Sequence, residues 1–244
     1  MALFDYTKRL LVGSIYFSLP GSMSEIVPVI QRELNCNSFS ERYLTDYENK
    51  IIRIDDITSS LDITLEEIIC SRAFCFEVLD FCGNNLKLFA TKYFVVAVFE
   101  GTSEDSDLQN LQESIERISE IFQKVVVRDY INIRRNFVVL EDHFITEKEA
   151  IMDVLSSIQM DNINVPFVNR RYAETVRREQ YVVDVVRNIM SGFEENADEV
   201  PLECFNIFFM TRCYDDNVSK DCDLKKNFNA MLTHGTDFAS VFFK

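Results

Sequence analysis

Ala73-Phe74-Cys75-Phe76-Glu77-Val78-Leu79-Asp80-Phe81 and Leu86-Lys87-Leu88-Phe89-Ala90-Thr91 are two apolar-rich runs on either side of Cys82-Gly83-Asn84-Asn85. Glycine and asparagine reach the left-handed backbone that a tight turn demands, so this stretch predicts a β-hairpin. Immediately after it, Tyr93-Phe94-Val95-Val96-Ala97-Val98-Phe99 is continuously apolar and stops before Gly101, the mark of a strand buried on both faces. Neighbouring strands joined by short connections imply an antiparallel sheet.

Working outward, Arg9–Leu19 reads as a strand closed by Pro20-Gly21, and a helix follows over Ser24–Leu34 with Ile26, Ile30 and Leu34 on one face. Ser22 and Glu25 have capping-box spacing. Arg42–Glu48 and Lys50–Asp55 read as two short strands, and Thr64-Leu65-Glu66-Glu67 as the start of a helical turn. Leu108–Phe122 carries Leu108, Leu111, Ile115, Ile118 and Phe122 as a single stripe, a strong amphipathic helix. Val125–Ile133 then alternates apolar and polar residues, as a half-buried strand does.

The second half reads less sharply. Phe137–Leu140 suggests a strand, and Thr146-Glu147-Lys148-Glu149 a capping box for a helix over Glu147–Ile158. Met160–Asn169 reads as a loop, Arg171–Met190 as extended, Glu194–Pro201 as an acidic turn and Cys204–Thr211 as a strand. A last helix spans Ser219–Phe242, with Gly235 a break point. The order predicts an α+β fold with antiparallel sheets, helices packed on one side, and two units over 1–135 and 136–244. Whether the units share one sheet stays open at this stage.

The chain has 244 residues, with only six Gly and four Pro, which excludes collagen-like and low-complexity readings. Its formal charge of −15 is uneven: residues 1–123 hold 10 Lys/Arg against 20 Asp/Glu, residues 124–187 hold 10 against 10, and residues 188–244 hold 5 against 10. An acidic surface repels phosphate backbones, so nucleic acid is disfavoured except at a local basic site, and the neutral middle is where one fits. Seven cysteines, an odd number with several among apolar residues, suit buried thiols in a reducing compartment. The start Met1-Ala2-Leu3-Phe4-Asp5 lacks a signal-peptide pattern and no stretch of about 18 apolar residues occurs, so the reading is a cytoplasmic protein without a membrane partner.

Motifs for chemistry are sparse. There is no Cys-x-x-Cys, no His pair and no Gly-rich phosphate loop, so neither a metal nor a cofactor is expected and no catalytic residue is assigned. Asp215–Asp223 resembles part of a calcium loop but lacks its central Gly and closing Glu, and reads better as an acidic cap of the last helix. His143, in Glu141-Asp142-His143-Phe144, reads as part of a solvated turn. His234 lies beside Gly235 in the last helix and is the more interesting of the two. Glu48-Asn49-Lys50 matches the Glu-x-Lys of metal-dependent nucleases, a triplet that also arises readily by chance.

The arginines are the most suggestive polar feature. Arg128, Arg134 and Arg135 lie on or beside one strand, and Arg170, Arg171, Arg177 and Arg178 cluster further on. Guanidinium groups pair bidentately with phosphate or carboxylate, so they suit an acidic partner or a nucleotide. The plainer reading is ion pairing with the chain's own 40 acids. Arg170 and Arg171, near Pro166, read as exposed loop residues.

Three segments resemble a family of bacterial proteins of about this length, known mainly for their sporadic distribution. Leu10-Leu11-Val12-Gly13-Ser14-Ile15-Tyr16-Phe17 is similar to its opening strand, Val127-Arg128-Asp129-Tyr130-Ile131-Asn132 to its Arg-x-Tyr-Ile-Asn strand, and Phe228–Leu232 with His234 and Phe238 to its final helix. Asp129 and Thr233 depart from the family's pattern. The resemblance singles out Arg128, Tyr130, Asn132 and His234, carries no established activity, and implies a mobile or defence-type gene neighbourhood. The leading expectation is a non-enzymatic protein-interaction subunit of a bacterial multi-protein system, antiviral or otherwise conflict-related. Its partner would be another protein or a second copy of the chain; the 21 Phe suit an oligomer. The alternative is an enzyme or sensor acting on a nucleotide or nucleic acid through the arginines, with Glu48 and Lys50 or His234.

Overall fold

The structure, a computed structural model, describes residues 5–18, 20–101, 108–126, 133–147, 169–194, 202–215, 218 and 222–240. Among them the elements run β1 (Asp5–Phe17), α1 (Met23–Leu34), β2 (Ser40–Arg42), α2 (Asp46–Ile51), α3 (Ile54–Leu61), α4 (Leu65–Ile69), β3 (Ala73–Phe81), β4 (Asn84–Ala90), β5 (Phe94–Gly101), α5 (Leu108–Val126), β6 (Ile133–Glu147), β7 (Asn169–Arg178), β8 (Tyr181–Glu194), β9 (Leu202–Asp215) and α6 (Leu224–Ser240). The fold is α+β, on one nine-stranded sheet in the order β2-β3-β4-β5-β1-β6-β9-β8-β7. Every neighbouring pair is antiparallel.

This order is nearly symmetric about the junction of β1 and β6. On each side a first strand lies beside the last strand of a three-strand meander, β3-β4-β5 or β7-β8-β9, and a helix then closes the half. The boundary drawn between 135 and 136 falls inside β6, which joins the halves into one sheet.

The quoted hairpin forms through a two-residue turn in which both Cys82 (φ 51) and Gly83 (φ 77) have positive φ, the geometry that matches the twist of paired strands. β3 also carries one extra residue: Val78 pairs with Leu86 but Phe81 with Asn84, and Asp80 (φ 57) absorbs the bulge. Val95, Val96, Ala97, Val98 and Phe99 of β5 are all buried, because the sheet is covered on both faces there.

The three long helices α1, α5 and α6 pack on one face, over Leu11, Ile15, Leu88, Ala97, Val138, Leu140 and Val183. Phe122 of α5 meets Phe228 of α6 edge-on, ring centres 5.7 Å apart. The opposite face of the first half buries Leu10, Val12, Phe89, Val96 and Val98 together with Ile52, Ile57 and Ile68, which come from the short α2–α4 segment. Gly13 sits where α5 and α6 approach β1: a Cβ there would lie 2.8 Å from Ile115 Cδ1 and 3.2 Å from Phe228 Cε1.

Several local expectations change. The two strands expected over Arg42–Glu48 and Lys50–Asp55 are instead the end of β2, then α2 and the start of α3. Thr45 and Glu48 form a reciprocal capping box, and that start signal outweighs the β-prone residues around it. Thr64 and Glu67 do the same for α4, as the sequence suggested. Val125 and Val126, read as strand, finish α5, because Ile118, Phe122 and Val125 continue its buried helical stripe; Ile133 opens the next strand, and 127–132 lie outside the described residues.

His143 is within β6 rather than a turn, since β6 follows β1 for twelve register pairs. Thr146 and Glu147 are strand too, and the rest of the expected 147–158 helix lies outside the described residues. Arg170 and Arg171 belong to β7, not to a loop. The last helix runs through Gly235 unbroken and starts at Leu224, where Asp223 Oδ1 accepts from the Lys226 amide at 3.2 Å.

Gly13→Val is expected to destabilise the protein by about 1–3 kcal/mol, because the added Cβ and its methyls must displace Ile115 and Phe228 in a closed core. Urea unfolding of the variant against wild type reads this directly.

Candidate functional site

The sheet face opposite the long helices carries charged side chains set among aromatic rings. Arg53 leaves the α2–α3 junction in a left-handed conformation (φ 57) and donates from Nη2 to Glu141 of β6. His143 Nε2 stands 3.7 Å from the other Glu141 oxygen, and its ring meets Phe208 at 5.0 Å. Burial pushes the Glu141 carboxyl up, but His143 and the Arg53 charge outweigh it and hold the group below the usual carboxylate range. Arg212 of β9 pairs with Asp184 of β8, which also accepts from Thr175 Oγ1 at 2.7 Å. The Arg212 and Arg135 guanidinium carbons both sit 5.1 Å from the Tyr214 ring centre. On the helix side of the sheet Arg9 Nε donates to Asp142 at 2.7 Å.

Arg9, Arg53 and Arg212 are each matched to a carboxylate of this chain, and of the arginines that the sequence singled out Arg178 stands 3.5 Å from Asp237. Arg134 and Arg177 differ. Both are exposed and make no ion pair among the described residues. Arg134 is the extra residue of a bulge, since Tyr16 pairs with Arg135 and Phe17 with Ile133.

The expected site residues do not form one patch. Arg170 and Arg171 stand seven residues from Arg177 and Arg178 along β7, roughly 23 Å. Arg134 and Arg135 lie three strands from Arg177 and Arg178 at one end of the sheet, roughly 14 Å across the ladder. Register puts Arg171 in line with Asn188, Phe208 and His143. His234 is half-buried on α6 against Tyr181, ring centres 5.3 Å apart, with Nδ1 buried and unbonded. Burial pushes the Tyr181 hydroxyl up to about 12. Arg128, Tyr130 and Asn132 lie outside the described residues.

The nuclease-like triplet does not hold together as a metal site. Glu48 accepts two hydrogen bonds from Arg42, at 2.6 and 2.7 Å, and closes the cap on Thr45, so its oxygens are already engaged. Lys50 instead opens on a cleft of about 530 Å³ between α2, α3 and α4, where Lys50 and Arg53 face Asp46 and Asp55 with Leu65 and Ile69 on the rim. Two cations against two carboxylates leave no positive field to draw a phosphate. Cys36, Cys70, Cys75, Cys82, Cys213 and Cys222 are free thiols, and burial pushes Cys213 up to about 12, away from nucleophilic use. Among the described residues no group of three or more His, Cys, Asp or Glu side chains converges as metal ligands do, and no helix is long and apolar enough to cross a membrane.

Sequence reading missed the pairs that organise this face. Arg53 and Glu141 are 88 residues apart and nothing local joins them. The Thr45–Glu48 box, by contrast, was a signal available at the correct spacing.

Fold and site together define an antiparallel α+β protein whose clustered charges, in the described part, close on one another. No family model matches the chain, and no curated protein matches it.

The hydrogen bonds from Arg42 hold the Glu48 carboxyl down at about 2, from an ordinary 4.5, against the opposing effect of burial. A depressed carboxyl stabilises the fold fully above its unfolded value, and that stability is lost as pH falls from about 4.5 towards about 2. Glu48→Gln is expected to be less stable than wild type at neutral pH, with the gap closing over that acid window. Urea unfolding measured across pH checks it; a gap independent of pH would reject the assignment.

Proposed function

We propose that this chain is a non-enzymatic interaction subunit of a bacterial multi-protein system, of the antiviral or conflict type that the family resemblance implies. The observation that carries the reading is the outer edge of β7. It is ten residues long, holds four arginines against one glutamate, and ends the sheet with one side unpaired by any described strand. A long edge is a ready template for another chain, and a basic one on an acidic protein is selective about which chain that is.

Arg134 and Arg177, exposed and without an ion pair among the described residues, favour a competing reading in which a nucleotide or nucleic acid is the ligand. The tagged chain purified from its native host, followed by native mass spectrometry, separates the two. A stoichiometric protein partner is the expected result. Repeated recovery of the chain alone, together with saturable nucleotide binding abolished by Arg134→Ala and Arg177→Ala, would replace the interaction reading with its competitor.

A further inference from the structure

The outer edge of β7 has a definite backbone pattern. β7 pairs with β8 through ten consecutive residues, from Asn169 opposite Met190 to Arg178 opposite Tyr181, without a register break. The loop between them is two residues, Glu179 and Gln180, with Glu179 at φ 53. In a two-residue hairpin the closing pair exchanges hydrogen bonds, and inward and outward pairs then alternate. Arg178, Val176, Glu174, Tyr172 and Arg170 therefore bond to β8. Arg177, Thr175, Ala173 and Arg171 turn their N–H and C=O groups away from the sheet.

That outward row has one of the devices that guard an edge, charge, and lacks others. β7 contains no proline, no lysine and no bulge, and Ala173, Glu174, Thr175, Arg177 and Arg178 are exposed. What it has is charge, with arginines at both ends. Two such strands placed side by side bring like charges together, so a second copy of β7 is a poor occupant. The other edge of the sheet, β2, is three residues long and carries Glu41 beside Arg42, so it offers no acidic strand of matching length. An extended acidic segment fits on both counts: its backbone completes the ladder and its carboxylates meet the arginine ends.

Building on the interaction reading, we propose that β7 receives an extended, acidic segment of a partner protein as an added strand, bonded to the backbone of Arg171, Ala173, Thr175 and Arg177. Arg177, exposed on the face away from the long helices, selects for acidic residues, while Arg178 on the other face stands 3.5 Å from Asp237 of α6. Affinity then resides in the main chain and selectivity in charge.

The test uses the full chain and two labelled decapeptides, one alternating Glu and Thr, the other Lys and Thr. The Glu peptide is expected to bind at least about tenfold more tightly at low salt, with the difference shrinking as salt rises. Ala173→Pro removes an outward N–H and leaves the β8 ladder whole, a substitution that edge strands tolerate. It is expected to abolish binding at unchanged melting temperature. Should that variant fail to fold, Arg177→Glu decides instead, with the preference for the Glu peptide expected to fall about tenfold. Equal binding of both peptides, or full binding by a folded Ala173→Pro protein, overturns the proposal. The native partner is retrieved in parallel with wild type and Ala173→Pro. A partner retained by the proline variant sinks the edge assignment while the interaction reading stands. If wild type retrieves none, the interaction reading fails, and the peptide titration decides the edge by itself.

Discussion

The ladder between β1 and β6 is the constraint on which the rest of this protein depends. β1 is paired along both sides, with β5 and with β6, so the two meanders hang from it in opposite directions. Its side chains are buried on both faces over 10–17. That requires cover from α5 and α6 on one side and, for the first half, from α2–α4 on the other. Gly13 lies at the middle of this arrangement because the ends of Ile115 and Phe228 occupy the space a side chain would need. Loss of this ladder would separate the halves and open both cores at once.

Three buried polar side chains inside the frame, Asn136, Asn227 and Asp215, bond one another across elements. Asn136 of β6 donates to Asn227 of α6 at 3.0 Å, and Asn227 donates in turn to Asp215 of β9 at 3.0 Å. Gln180, from the β7–β8 turn, reaches the same carboxylate at 3.2 Å. One buried carboxylate thereby fixes the last helix, the final strand and the outer hairpin relative to one another. Buried polar groups cost stability unless they are bonded, and these bonds run between elements distant in sequence, so they help to specify the assembly.

Surface charge has the opposite distribution from what an even mixture would give. The acids dominate both ends of the sequence, while the arginines gather in β6 and β7. Within the frame, Arg9 of β1, Arg53 of the α2–α3 junction and Arg212 of β9 are matched by Asp142, Glu141 and Asp184. The arginines on the last strand form a basic margin on an acidic molecule. The electrostatic character of β7 therefore follows from where the sheet stops, since the same residues one strand further in would have had neighbours on both sides.

The sequence alone determined the elements whose signals are local. The Cys82-Gly83 turn, the apolar β5 run, the stripe of α5 and the Thr64–Glu67 cap were all legible, because turn chemistry, periodicity and capping act over a few residues. It also yielded the α+β class with antiparallel strands, and it picked out the arginines. The tertiary structure alone decided that one sheet serves both halves, that α2 and α3 replace two expected strands against the second face, and that Arg53 meets Glu141. It also decided that β7 lies at an edge and that Arg170 and Arg171 are strand residues on it. Each of these depends on which distant segment comes to lie alongside, and neither residue spacing nor propensity carries that information.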